Sequence, residues 1–377
     1  MKIIISILVF FSTSLLAEDN NFFTVLNMPE EFGKAKLVYP KYINVFGLHI
    51  FASKKVKDKK ILHAANVFAQ YLDNNEDGVP DNKLVHDKLV EKQATIFMSK
   101  TEKTWERDIN KFADIYEGRH LSGQSLYDVE TLPGGNKFDA SIEEILHLIT
   151  GKGHQYAYPD ELGYTNSLLT EAMDKARGGN FSIVPKKYPK EAWYSYDDKT
   201  CTYQCMAAEY IYWALTSYLG AQKKRFKEIS HEWKANTKEK LIKMDPDVTK
   251  LITNPKYQFP TIIPNGNYNA PVNAYQAFVS TIKEYVPKEG EVCEWILEES
   301  YPEYLSEVPS GNNINSAFYV VAGGNGRCEY GFRWDSDISL EDVKQNAKSD
   351  CEQWRKENNI NGECKPYDIN KEVVWEE

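Results

Sequence analysis

The chain has 377 residues, with 45 Lys+Arg against 55 Asp+Glu and a formal charge of −10. A hydrophobic fraction of 42% is that of a chain folding around a core; it excludes disorder as the main state, and the length suits two domains or one with an appendage. The acidic balance argues against nucleic acid as a partner, which needs a basic surface, and against anionic lipid for the same reason.

Met1 and Lys2 precede a largely apolar run from Ile3 to Leu16, which stops at Ala17, Glu18 and Asp19. The run is shorter than the roughly 20 residues a bilayer span takes, and Ala17 suits the position before cleavage. Residues 1–17 therefore read as a secretory signal peptide. Its removal takes away Lys2 and leaves 44 basic against 55 acidic residues, a net charge of −11. No later segment is apolar for long enough to cross a membrane, so the mature chain is expected to be secreted or periplasmic with no membrane insertion after cleavage.

From 18 to 290 the pattern predicts a mostly α main domain. Apolar residues at Ile61, Leu62, Ala65, Val67, Phe68 and Leu72 recur at helical spacing and run straight into DNNEDGVPDN at 73–82. Further helices are expected over Ser141–Ile149, over Met206–Leu219 around a single Glu209, over a charged stretch at 221–243 held down by Phe226, Ile229, Trp233 and Leu241, and over Ala274–Tyr285. The segment between Asn254 and Pro271 has loop composition. Residues 291–315 read as a linker, acidic and then rich in Pro, Gly and Asn. After it comes a small disulfide-linked α+β domain, 316–377. Strands at Phe318–Ala322 and Arg327–Trp334 flank a GGNG turn, Ser339 caps a helix whose buried stripe includes Val343, Ala347, Cys351 and Trp354, and Lys371–Trp375 closes as a strand.

Export changes how the six cysteines read. An even number in an oxidising compartment favours disulfides, with 15 pairings open to six cysteines. We expect Cys201 with Cys205 as a local clip and Cys351 with Cys364 tying a helix to the segment after it, which leaves Cys293 with Cys328. A metal site on Cys201 and Cys205 is the alternative.

Asp73, Asn75, Asp77, Gly78 and Asp81 fit the spacing D-x-N-x-D-G-x-P-D, in which alternate oxygens converge on one hard cation and the Gly allows a sharp turn. The nine residues resemble thrombospondin type 3 calcium repeats and, through the preceding helix, the first half of an EF-hand loop. The resemblance implies Asp73, Asn75, Asp77 and Asp81 as calcium ligands, with the carbonyl of Val79 a further one. The twelfth position, a bidentate Glu in EF-hands, is Leu84 here, so the expected Ca²⁺ is structural and not a sensor.

In FDASIEEILHLITGKGH at 138–154, a helix from Ile142 puts Glu143 and His147 one turn apart on one face, with Glu144 beside them. The layout resembles the zinc-metallopeptidase (zincin) helix H-E-x-x-H with Glu143 in place of the first His. That resemblance implies a zincin-like main domain in which Glu143 and His147 are ligands and Glu144 is the general base. His154, seven residues on, is similar to the third ligand of the extended motif with one residue too many. Glu209, a lone carboxylate in an apolar helix, is a further ligand candidate, because burying it needs a cation or hydrogen bonds. Carboxylates also suit metals harder than zinc. Other readings of the same residues are a capping box of Ser141 and Glu144 and a hydrogen-bonded core carboxylate at Glu209.

The leading expectation is thus an exported, calcium-binding, metallopeptidase-like hydrolase, with calcium and zinc as cofactors, acting on a peptide or another extracellular substrate. The competing one is a non-enzymatic, calcium-stabilised binding or structural protein. A third rests on Glu144/His147 and a second E-x-x-H pair, Glu228/His231, which would make the main domain a di-metal helical bundle.

Overall fold

The structure is a computed structural model, and it describes residues 22–116, 120–134, 137–283, 292–293, 296–309, 314–323 and 327–375. The expected signal peptide and most of the GGNG turn lie outside the described residues. With 44% helix and 15% strand the protein is mixed α/β, which overturns the mostly α main domain. What the sequence reading missed there is a five-stranded sheet in the order β1-β2-β3-β4-β5. Its strands are β1 Leu26–Asn27, β2 Lys41–Val45, β3 Leu48–Ala52, β4 Thr95–Ser99 and β5 Gly123–Tyr127. The pairs β1/β2 and β2/β3 are antiparallel, whereas β3/β4 and β4/β5 are parallel.

Helices α1 (Asp58–Leu72) and α2 (Lys83–Glu91) carry the chain from β3 to β4, and α3 (Glu102–Ile115) carries it from β4 to β5. Helix α4 (Ser141–Ile149) follows β5 and packs on α1, β4 and β5. Alternate strand residues serve two cores. Leu48, Ile50, Ile96, Met98 and Leu126 join α1 and α4 on one face. Phe51 and Phe97 join Phe32, Tyr39 and Phe112 of α3 on the other. Strands covered on both faces read as continuous apolar runs without alternation, so LHIFA and TIFMS give no strand periodicity. The β2/β3 hairpin turns on Phe46 and Gly47, both at positive φ (52° and 84°), as a two-residue hairpin loop demands. Phe46 tolerates that conformation because its ring is fully buried against Tyr275, 4.7 Å between centroids.

The expected helices at 59–72 and 141–149 form, and the one around Glu209 spans Tyr203–Tyr218. The charged stretch at 221–243 breaks into short helices Phe226–Ile229 and Lys238–Met244, because Trp233 between them is fully buried beneath the Tyr203–Tyr218 helix, its Nε1 donating to Ser217 Oγ at 2.9 Å.

The C-terminal unit is a second sheet, all antiparallel, ordered β7-β6-β8-β9, from β6 (Asn315–Ala322), β7 (Cys328–Asp335), β8 (Lys365–Ile369) and β9 (Glu372–Val373). The Leu340–Glu357 helix, capped by Ser339, packs on β6 and β7, but Trp354 of its expected stripe is exposed. Part of the stretch read as a linker belongs to this unit: Ile296, Tyr304 and Val308 are buried against Phe318 and Val320, and the hydroxyls of Tyr301 and Tyr304 donate to Asp368 at 2.7 and 2.8 Å. The cysteines pair as Cys201–Cys205, Cys293–Cys328 and Cys351–Cys364, which suits an oxidising compartment. Among the described residues no helix is long and apolar enough to cross a membrane.

Candidate metal centre

Helix α4 buries Ile142, Ile145, Leu146, Leu148 and Ile149 in the main core, which leaves Glu143, Glu144 and His147 along its partly buried polar edge. The Tyr203–Tyr218 helix packs against α4, and Thr202 Oγ1 caps its start by accepting from the Cys205 amide at 3.2 Å, inside the Cys201–Cys205 clip. One turn further along, Glu209 faces His147.

Glu143, His147 and Glu209 offer donor atoms that all lie within 4.8 Å of one another. His147 Nε2 is 3.5 Å from Glu209 Oε1 and 3.9 Å from Glu143 Oε1. Ligands bonded at 2.0–2.2 Å to one tetrahedral ion stand roughly 3.3 Å apart, so the group is close to the geometry an ion requires. Both ring nitrogens of His147 are buried and make no hydrogen bond. Leaving such a group unsatisfied is costly, and the two carboxylates facing it make a cation the natural partner. The donor set fits a divalent ion, with one imidazole and two carboxylates instead of the two imidazoles of H-E-x-x-H.

Burial pushes Glu143, Glu144 and Glu209 up to about 7 each. For Glu143 the His147 side chain opposes burial and Glu209 adds to it; for Glu144 His147 again opposes and Glu143 adds. The hydroxyls of Tyr196 and Tyr212 oppose the rise at Glu209 and Glu143 respectively. Glu144 does not form the capping box that was the alternative reading of Ser141 and Glu144. Ser141 Oγ has no partner, and Glu144 Oε2 accepts instead from Gln124 Nε2 of β5 at 2.6 Å. Tyr196 and Tyr212 lie in aromatic-rich stretches, YSYDD at 194–198 and EYIYW at 209–213, whereas nothing in the sequence marks Gln124, whose edge strand lacks a strand pattern.

His154 does not join the group. In a continuous α-helix it would lie two turns beyond His147 on the same face, but residues Thr150–His154 form a π-helical turn, and the residue it adds rotates His154 away. It is buried instead against Phe259, rings stacked at 4.3 Å, with Nε2 at 3.2 Å from the Tyr257 carbonyl oxygen, and burial lowers its pKa to about 4. The second E-x-x-H pair does not join it either, because Glu228 is held by Arg225 at 2.5 Å and His231 turns to Glu232 and Asp197, a separate and largely exposed group.

The loop at 73–81 is tied to itself. Asp73 Oδ2 accepts from the Gly78 amide at 2.8 Å and from the Tyr268 hydroxyl at 2.5 Å, while Asn75 Oδ1 accepts from the Asp77 amide at 2.9 Å. Asp77 Oδ1 accepts from the Val79 amide at 3.0 Å, and Asp81 Oδ2 from the Asn74 amide at 2.8 Å. Gly78, at φ +92°, makes the sharp turn. Among the described residues, Asp73, Asp77 and Asp81 do not gather within 4.8 Å of one another as the Glu143 group does. The loop follows the helix that holds α4. It closes α1, and His63 and Tyr71 of α1 hold the start of α4 through Asp139 Oδ2 at 2.5 Å and the Ile142 carbonyl at 2.8 Å.

Compared with protein-family models, curated proteins and solved structures, the chain matches none.

Proposed function

We propose that the protein is an exported metal-dependent hydrolase acting on peptide bonds, with Glu143, His147 and Glu209 holding a divalent cation such as zinc. The observation that carries the reading is His147, whose ring nitrogens are buried without a hydrogen bond while two carboxylates stand within ion-pair distance of it. A cation held there supplies the Lewis acid that polarises a carbonyl. The chain's own residues do the rest. Glu144, burial-raised to about 7 and aimed by Gln124, takes the proton of the attacking water and passes it to the leaving amine. An extended peptide suits the surroundings, since β5, which carries Gln124, is among the described residues the outermost strand of its sheet, and an edge strand can pair with an added one.

Hydrolysis of an unfolded protein substrate by the full chain tests the reading. Activity is expected, lost on chelation and restored by zinc. A chain that binds the metal and hydrolyses nothing is instead the binding protein of the competing reading.

The loop at 73–81 is proposed as a structural Ca²⁺ site on the strength of its D-x-N-x-D-G-x-P-D spacing and the turn at Gly78. Binding requires Asp73, Asp77 and Asp81, which accept from loop amides, to draw together. The site suits the secreted or periplasmic setting in which this reading places the mature chain. Asp77→Ala is expected to remove one equivalent of bound Ca²⁺ in equilibrium dialysis and the accompanying gain in Tm. Unchanged stoichiometry and Tm would contradict it.

A further inference from the structure

A cavity of about 480 Å³ opens along the outer edge of β5. Its floor is apolar, formed by Phe97 of β4, by Trp105, Ile109 and Phe112 of α3, and by Leu121. The opposite wall comes from the C-terminal unit: Arg327, Cys328 and Glu329 at the start of β7, with Asn358 and Ile360 beyond the Leu340–Glu357 helix. Strands β5 and β7 are each outermost in their sheets, so two strand edges face the same space. Gly123 keeps the floor flat, because a Cβ there would stand 2.6 Å from the Phe97 ring. Trp105 lends the floor the broad apolar face of its indole.

The cavity and the metal centre meet at β5. Gln124 lines the cavity and sends its side chain to Glu144 on the α4 face, whereas its neighbours Gly123 and Ser125 alternate toward the α3 face. A peptide strand laid along this edge alternates in the same way. A side chain directed toward Glu144 is followed by one directed into the cavity. Glu329 does not leave a bare charge there, since its Oε1 accepts from Asn358 Nδ2 at 2.9 Å.

We infer that the cavity between β5, α3 and β7 selects an aromatic or large aliphatic side chain of an extended peptide substrate, with the C-terminal unit as its second wall. The inference rests on the peptide-hydrolase reading, and it gives the C-terminal unit a task that the metal centre alone does not.

Two narrowed variants test it in the full chain. Ala113 of α3 lines the cavity but is exposed, so Ala113→Trp fills space without entering the core; Arg327→Trp narrows it from the other wall. Cleavage sites in a mixed peptide library, read by mass spectrometry, are expected to favour a large apolar residue at one position by at least about tenfold over alanine. That preference should fall below about threefold in both variants while cleavage at small residues persists. A wild-type profile without apolar preference, or one that both variants leave unchanged, overturns the inference. A wild-type chain that cleaves nothing overturns the hydrolase reading instead, and the cavity then stands or falls on a second readout. N-acetylphenylalaninamide binding, followed by NMR, is expected in the wild type and absent in both variants; binding retained in both, or absent from the wild type, overturns it.

Discussion

Glu144→Gln is expected to lower peptide hydrolysis by about 10²- to 10⁴-fold, the range a positioned general base contributes. The substitution is nearly isosteric, and the new side chain keeps an oxygen to accept from Gln124 Nε2, which now bonds Glu144 at 2.6 Å. Metal content should therefore not change, and Tm should not fall; above about pH 7 it should rise, because a neutral Gln escapes the cost of ionising a buried carboxylate. What is lost is the proton acceptor beside the cation. Rates measured on one substrate, with metal content read on the same samples, separate this from misfolding. A variant with full activity would show that Glu144 is only a partly buried partner of Gln124.

The metal-free chain is expected to lose stability as pH rises from about 5 to 8, and a bound divalent cation should restore it at the upper end. Glu143, Glu144 and Glu209 have pKa values raised from the ordinary carboxylate range to about 7, chiefly by burial. In each case the folded state holds its proton more tightly than the unfolded state does. The stability this contributes is complete below the unfolded value near 4.5 and is lost as pH rises through about 7. For a single carboxylate ionising alone the loss is on the order of 3 kcal/mol. A cation takes over the proton's role, so its stabilising effect grows with pH while the carboxylates it binds are deprotonated. Thermal melts at pH 5, 6, 7 and 8, with chelator and with zinc, should show two curves that coincide at pH 5 and separate above pH 7. Curves that stay together throughout would mean that no cation engages these carboxylates.

The residues of the candidate centre were legible and their surroundings were not, for identifiable reasons. Glu143 and His147 share a helix at the i, i+4 spacing that periodicity reveals, and Glu209 stood out as one carboxylate in an apolar helix. Their convergence depends on how two helices pack, which spacing alone does not give. The sheet was hidden because β3 and β4 are buried on both faces and lack the alternation that marks a strand, and because the hairpin between β2 and β3 turns on Phe46–Gly47, not on Asn-Gly. Without the sheet, neither Gln124 nor the cavity along β5 could be placed. His154 was misassigned through regular helical geometry, which the π-helical turn at 150–154 breaks. Residues 296–308 carry loop composition yet fold, because Tyr301 and Tyr304 find Asp368, a partner more than 60 residues away.

One ion held by Glu143, His147 and Glu209 is the centre of the proposed function, and metal stoichiometry tests it most directly. The full chain would be stripped with chelator, loaded with zinc, dialysed against metal-free buffer and analysed for metal, alongside His147→Ala and Glu209→Gln. The account predicts close to one equivalent of zinc in the wild type, and an affinity reduced by at least about 100-fold in each variant, since losing a ligand costs more than losing one of its supporting partners. Less than about a tenth of an equivalent in the wild type, or variants that retain the metal as tightly, would contradict it.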